Sequence, residues 1–242
     1  MRRTLLLLAL AGVLPAPLAA QGDRVAALIA RFADPANTAR QAAADSLAAL
    51  AADAIPALVP LLGDPVHERR YWAAEALGRM GAGAAPAVPA LVDALFTSDR
   101  FARSRVAAAL GRVGAAAVPP LAAALPDTAR QFWAALALAR LGPHLEPAVP
   151  ALVRALGEGP MLARAEAAVA LGELGRPVPE ALPALTALVS SGDPWCQTRA
   201  AIVLGGWGAA ATSAAPALER ARTSDHPDVR ARAEEALRRI GS

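Results

Sequence analysis

Residues 70–81 read RYWAAEALGRMG, and the fold follows from recognising that this stretch is one copy of a set. It recurs as RQAAADSLAALA from 40, RSRVAAALGRVG from 103, QFWAALALARLG from 131, RAEAAVALGELG from 164, QTRAAIVLGGWG from 197 and RARAEEALRRIG from 230. Successive starts lie 30, 33, 28, 33, 33 and 33 residues apart. The copies hold Leu47, Leu77, Leu110, Leu138, Leu171, Leu204 and Leu237 in register, which an unpatterned alanine-rich chain would not do. A period of this length with helical patterning inside each unit denotes stacked helix pairs, each unable to bury its apolar face alone.

Between the copies lies a second element: IPALVPLL from 55, VPALVDAL from 88, VPPLAAAL from 118, VPALVRAL from 149, LPALTALV from 182 and APALERAR from 215. Its proline suits a first helical turn, where the missing N–H costs nothing. VAALIARF from 25 resembles it without the proline, so the array opens there and closes on Ile240 and Gly241. The expected architecture is all-α, an alpha-alpha superhelix of about seven helix pairs forming a single domain over residues 21–242.

The composition agrees. The chain has 242 residues, 55% hydrophobic and 19% charged, enough to bury a core and too apolar for disorder. Aromatics are only 4%, and alanine, the best helix former, dominates the apolar set. Lysine is absent, a usage that fits a GC-rich bacterial genome.

The chain begins MRRTLLLLALAGVLPAPLAAQGD. Arg2 and Arg3 form a basic start, Leu5 to Leu14 an apolar run too short to span a bilayer comfortably, and PLAA ending at Ala20 a cleavage-type sequence. Residues 1–20 are therefore expected to be a cleaved secretory signal. The mature chain would begin near Gln21, carry no membrane span and work in the periplasm or outside the cell. No cysteine follows the apolar run, so lipid attachment there is not indicated. Without Arg2 and Arg3, 22 arginines face 21 acids. The sequence pI near 10.2 thus reflects the lack of groups titrating above neutrality, not a strong basic field, and no nucleic-acid partner is expected.

A short acidic turn, an arginine and then AAxALGxxG together resemble HEAT repeats of the short type shared with phycobilisome lyases, over residues 23 to 242. The resemblance implies an α-solenoid whose arginine-bearing helices line the concave side, with variable inner positions forming the binding surface. It also implies a structural ladder of acid and arginine, matched here by Asp34 and Arg40, Asp64 and Arg70, and Glu158 and Arg164. Gln131 and Gln197 replace the arginine in two copies, where the ladder is expected to be interrupted.

At about 100° per residue, Val229, Ala233, Ala236, Leu237 and Ile240 share one arc, the core stripe. Positions nine, six, five and two before the central leucine, and two after it, fall opposite. These are Glu68, Tyr71, Trp72, Glu75 and Arg79 in the second pair, and Phe101, Ser104, Arg105, Ala108 and Arg112 in the third. Ala129, Phe132, Trp133, Leu136 and Arg140 follow in the fourth, and Trp195, Thr198, Arg199, Ile202 and Gly206 in the sixth. Six of the chain's nine aromatic residues thus fall where a solvated face should be polar. The expected partner-binding set is Tyr71, Trp72, Phe101, Phe132 and Trp133 as apolar anchors, with Glu75, Arg79, Arg105, Arg112 and Arg140 as polar partners of a protein or peptide. A strip from the second to the fourth pair would be about 20 Å long.

No catalytic constellation emerges, and no metal or cofactor is expected. His67 with Glu68 resembles one His-Glu motif of HEAT-like deoxyhypusine hydroxylase, which needs several converging on two metals; His144 and His226 lie in other layers. Cys196 is the sole cysteine, at the core position held by Val229 in the last copy, and reads as a small buried hydrophobe. HEAT-like DNA glycosylases grip DNA with tryptophan and arginine, but Glu68, Glu75, Glu166 and Glu173 on the same arc oppose that reading. The expectation is an exported, non-enzymatic scaffold; the alternative is an enzyme or nucleic-acid binder using the same groove.

Overall fold

The computed structural model describes residues 18–241. The export segment read over residues 1–20 lies outside the described residues, except that 18–20 open the first helix. Seven helix pairs follow: α1 (Leu18–Ala30) with α2 (Asn37–Leu50), α3 (Ile55–Leu58) with α4 (His67–Arg79), and α5 (Val88–Thr97) with α6 (Arg100–Val113). Then come α7 (Val118–Ala124) with α8 (Thr128–Leu138), α9 (Val149–Glu158) with α10 (Met161–Glu173), α11 (Leu182–Val189) with α12 (Pro194–Trp207), and α13 (Ala215–Ala221) with α14 (Pro227–Ile240). No strand occurs among the described residues, and the even-numbered helices are the arginine-bearing copies.

Each element has a local start and stop. Pro56, Pro89, Pro119, Pro150, Pro183 and Pro216 sit in the first turn of α3, α5, α7, α9, α11 and α13. Asp99, Asp127 and Asp193 cap α6, α8 and α12 by accepting backbone N–H groups of the first turn. The last glycine of the motif ends an even helix in a conformation open only to glycine at low cost: φ is +57° at Gly81, +83° at Gly114 and +55° at Gly208. Leu47, Leu77, Leu110, Leu138, Leu171 and Leu204 have no exposed surface. Leu237, in the last described helix, is only half-buried.

The motif's first glycine works by contact. A Cβ at Gly78 would lie 2.9 Å from the Ala109 Cα, and one at Gly205 would lie 2.9 Å from the Ala236 Cα. Even helices therefore touch backbone to backbone, much more extensively than odd helices touch one another. A stack closer on one layer than on the other curves toward the close layer, which makes the even helices the concave side.

The acid–arginine ladder takes a different form from the expected pairing at a separation of six. Arg70 donates to the Asp64 and Pro65 carbonyls, Arg103 to the Ser98 carbonyl at 2.7 Å, Arg164 to the Leu156 carbonyl at 2.8 Å and Arg230 to the Ser224 carbonyl at 2.6 Å. The long donor thus satisfies carbonyls left orphaned where the odd helix ends. Gln197 keeps the device by donating to the Ser191 carbonyl, so no interruption occurs there. Gln131 is buried and its Oε1 has no hydrogen-bond partner. The carboxylate that does pair with Arg70 is Asp99, in the next turn along the stack. Arg70 and the backbone N–H groups that Asp99 caps hold its carboxyl down at about 2.

The stretch Pro194–Ala221 is long and apolar enough to cross a membrane by length and composition, with mean hydropathy 1.3. In the fold it is α12, a 3-10 segment entered at Gly208 and α13, and half of it is buried against neighbouring elements.

In the first copy the turn glycine is replaced by Ala51, held at φ +44° and ψ −116°. Gly208, at φ +55° and ψ −135°, shows the same conformation without the Cβ clash. Ala51→Gly should therefore raise the free energy of unfolding by about 1 kcal/mol, read as a higher denaturation midpoint with unchanged helical circular dichroism. An unchanged or lower midpoint would show that this turn stores no strain.

Candidate functional site

The concave face is not uniform. Its character in each layer depends on the residue two positions before the central leucine: Asp45, Glu75, Ala108, Leu136, Val169, Ile202 and Glu235 in chain order. Where that residue is an acid, arginines of the following helix reach back and close over it. Arg79 of α4 pairs with Asp45 of α2. Glu75 of α4 receives Arg105 at 2.8 Å and Arg112 at 3.2 Å from α6, and Arg79 at 2.8 Å from its own helix. Arg105 also lies 4.4 Å from the Tyr71 ring centroid and donates to its hydroxyl. Burial pushes the Glu75 carboxyl up, but the three guanidinium groups pull it back below its ordinary value. This knot brings Tyr71, Glu75, Arg79, Arg105 and Arg112 together, as the wheel placed them, but spends their polar groups on one another.

The aromatic strip needs correction. Trp72 retains only 7% of its exposure and stacks on the fully buried Phe32, with ring centroids 6.4 Å apart and planes at 29°. Tyr71 meets it edge-on at 5.1 Å, and Arg40 lies 5.9 Å from its ring centroid. Trp72 is therefore no outward anchor. The reason is geometric: five positions before the leucine is only about 85° from the centre of the core stripe, on a flank that the neighbouring even helix covers. A helical side chain also leans over the preceding turn, which carries the indole sideways. Trp133 occupies the same flank, half-buried against the core, with Arg103 at 4.8 Å and Phe132 edge-on at 5.0 Å. Phe101 does point outward, 80% exposed, at the first turn of α6. Arg140 is exposed, and its charge acts with that of Arg199 on the buried Glu166.

Where the deciding position is apolar, no arginine bridge closes over it. Ile202 is 48% exposed and borders three adjoining cavities. One, of about 630 Å³, lies between the starts of α12 and α14 and is lined by Trp195, Thr198, Arg199 and Asp228. Another, of about 400 Å³, lies between α10 and α12 over Val169, Gly172, Gly206 and Trp207. The third, of about 260 Å³, runs between α12 and α14 past Arg232 and Glu235. Together they form a trough crossing α12 at Ile202. Trp195 stands on its edge, 52% exposed, with the Arg199 guanidinium 3.9 Å from its ring centroid. Arg199 is held from behind by Glu166 at 3.3 Å. Burial drives the Glu166 carboxyl above its ordinary value, which Arg199 and Arg140 offset only in part. On α14, Arg232 and Arg239 pair with Glu235 of their own helix at 2.8 and 2.6 Å.

Cys196, beside Trp195, is fully buried and its thiol faces the Met161 carbonyl at 3.5 Å. Burial, reinforced by Asp193, pushes it up to about 11, so it is inert packing. Among the described residues His67 pairs with Glu68 alone, at 3.1 Å. Among the described residues no group of three or more His, Cys, Asp or Glu side chains gathers as a metal set would require.

The HEAT-repeat family model matches residues 25–111 and 150–238, and the PBS lyase HEAT-like repeat model matches residues 131–158. The chain belongs to the HEAT-repeat family. Among solved structures it is similar to an engineered protein of the Northeast Structural Genomics Consortium, 25% identical over 90% of this chain and 68% of that one, with TM-score 0.50. It is also similar to a designed armadillo repeat protein in complex with the peptide (KR)4, 19% identical over 89% of this chain and 99% of that one, with TM-score 0.50. No curated protein matches it.

Trp72→Ala should cost about 3–5 kcal/mol of stability, whereas Trp195→Ala should fall within about 0.5 kcal/mol of wild type. Paired denaturant melts check this. Equal effects would mean that the two indoles share one environment.

Proposed function

We propose that this chain is an exported, non-enzymatic scaffold that holds a protein or peptide in extended form on its concave face, with the trough around Ile202 as its docking site. One observation carries the reading: Trp195 and Ile202 are half-exposed on a concave surface, beside adjoining cavities that share Ile202. Large apolar side chains left open in a concavity favour a partner that covers them. The site differs from the expected strip by about three layers, moving from α4–α8 to α10–α14.

The designed armadillo repeat protein of similar fold is in complex with a peptide, which supports a peptide occupant here. Glu75, Glu166 and Glu235 already pair with arginines of this chain, while Glu173 and Asp228 line the trough without an ion pair. The same pairing leaves little free positive charge, which weighs against a nucleic acid. Export rests on Arg2, Arg3, the apolar run and the PLAA sequence.

The docking reading predicts that Trp195→Ala with Ile202→Asp abolishes partner capture from an envelope extract, while Phe101→Ala retains it and all three proteins melt alike. Captured affinity should change little between low and high salt; a steep decline would point to a polyanion instead. The export reading predicts that expression of the whole sequence in a Gram-negative host yields protein beginning near Gln21 in the periplasmic fraction. Recovery of unprocessed protein in the cytoplasm would overturn it.

A further inference from the structure

Charge on the concave face changes sign at one register position. Two residues after the central leucine, α4, α6 and α8 carry Arg79, Arg112 and Arg140, whereas α10 carries Glu173 and α12 carries Gly206. Glu173 is exposed and is the last residue of α10. The helix dipole is negative at that end, so a carboxylate there gains nothing from its own helix. In an earlier layer arginines of the next helix close over an acid, as Arg105 and Arg112 do over Glu75. Glu173 has no such cover. The residue in its register on the next helix is Gly206, and among the described residues Glu173 makes no ion pair.

The missing side chain leaves room. A Cβ on Gly206 would meet nothing within 4 Å, and Glu173 and Gly206 border the same cavity of about 400 Å³. Val169, Val203 and Trp207 give that cavity apolar walls. The two arginines that also border it are held by other acids, Arg199 by Glu166 at 3.3 Å and Arg239 by Glu235 at 2.6 Å. Arg176, three residues beyond Glu173, turns to Glu146. A lysine or arginine from outside suits such walls, because its methylene stem lies on apolar surface while its charged head reaches an acceptor. Past Ile202, in the cavity beside Trp195, Asp228 is a second carboxylate without an ion pair. The first turn of α14 favours an acid in its own right, whereas nothing in α10 favours Glu173.

Resting on the docking reading above, we propose that the occupant of the trough is a peptide segment that seats a lysine or arginine side chain over Gly206, paired with Glu173, next to an apolar residue on Ile202. The chain as a whole carries a small positive excess, so no general acidic field draws cations to it and the acceptor is local. One exposed pair gives a salt response of a few-fold at most, far short of the decades that a polyanion loses.

The test uses the intact mature chain and three labelled peptides capped at both ends, followed by fluorescence anisotropy. Each alternates Leu and Ser around one central residue: Lys in the first, Gln in the second and Glu in the third. The lysine peptide should bind about three- to fivefold more tightly than the glutamine peptide, and the glutamate peptide most weakly. Glu173→Gln should erase the lysine preference and leave the affinity for the glutamine peptide unchanged. Gly206→Arg supplies the cation from within the chain, at a position where no contact opposes it, and should erase the preference as well. Both positions are exposed, and unchanged helical circular dichroism checks that each variant keeps the fold.

Equal affinity for the lysine and glutamine peptides, or tighter binding of the glutamate peptide, overturns the inference. So does a lysine preference that survives Glu173→Gln or Gly206→Arg, or one that Asp228→Asn alone removes. The docking reading survives those results if Trp195→Ala with Ile202→Ser still weakens whatever binds. Binding that this pair of substitutions leaves unchanged overturns both. Absence of binding by all three peptides overturns the pairing with Glu173, while the extract capture test judges the docking reading separately.

Discussion

The backbone contact between consecutive even helices is the constraint on which the rest of this structure depends. Gly78 lies against Ala109, and Gly205 against Ala236, at a distance that admits no Cβ on the glycine. With the even helices this close, the stack curves and each even helix from α4 to α12 is flanked on two sides. The arc left open to the concavity is narrower than half a helical wheel. Trp72 and Glu75 are buried for this reason, although neither belongs to the apolar stripe that faces the odd helices.

Closeness also makes arginine chemistry directional. In the first layers the guanidinium groups reach toward the preceding helix, from Arg79 to Asp45 and from Arg105 and Arg112 to Glu75, and Arg199 repeats the gesture toward Glu166. Such a bridge needs an acid one layer back. Arg140 has Ala108 in the register where Arg112 finds Glu75, and Arg232 has Ile202 there. Arg232 then turns to Glu235 on its own helix, and the groove between α12 and α14 stays open. One register position, read layer by layer, thus decides which parts of the concave face are sealed by charge and which are left apolar.

The helix pairs, their number and their boundaries were legible because each repeats a chemical instruction: proline at the start of odd helices, leucine at the centre of even ones, glycine at the stop. The buried role of Cys196 was legible for the same reason, since its register matches Val229. The site was legible only in part. The wheel set the arc correctly for Phe101, for the Tyr71–Arg112 knot and for Ile202, but it treats a helix as if one face alone were covered. Trp72 lies on the flank, where burial is decided by the neighbouring elements: Phe32 stacks on its ring and Arg40 of α2 lies over it. Nor does a wheel show that Glu75 consumes three arginines. The useful sequence cue was the run Ala108, Leu136, Val169, Ile202 in a register that begins and ends with acids.

A face built this way alternates between layers closed by charge and layers left apolar. Most of the acids in its central register are paired with arginines of the same face, Asp45 with Arg79, Glu75 with Arg105 and Arg112, and Glu235 with Arg232 and Arg239. The layers are rigid because their contacts are backbone on backbone, and the spacing of the apolar row cannot adjust to an occupant at low cost. An occupant whose own conformation is already stiff loses little entropy on docking, while a flexible chain must be ordered against the row residue by residue. Rigid spacing on one side favours preformed spacing on the other. The close packing of small residues that curves the stack therefore also sets how its apolar layers follow one another.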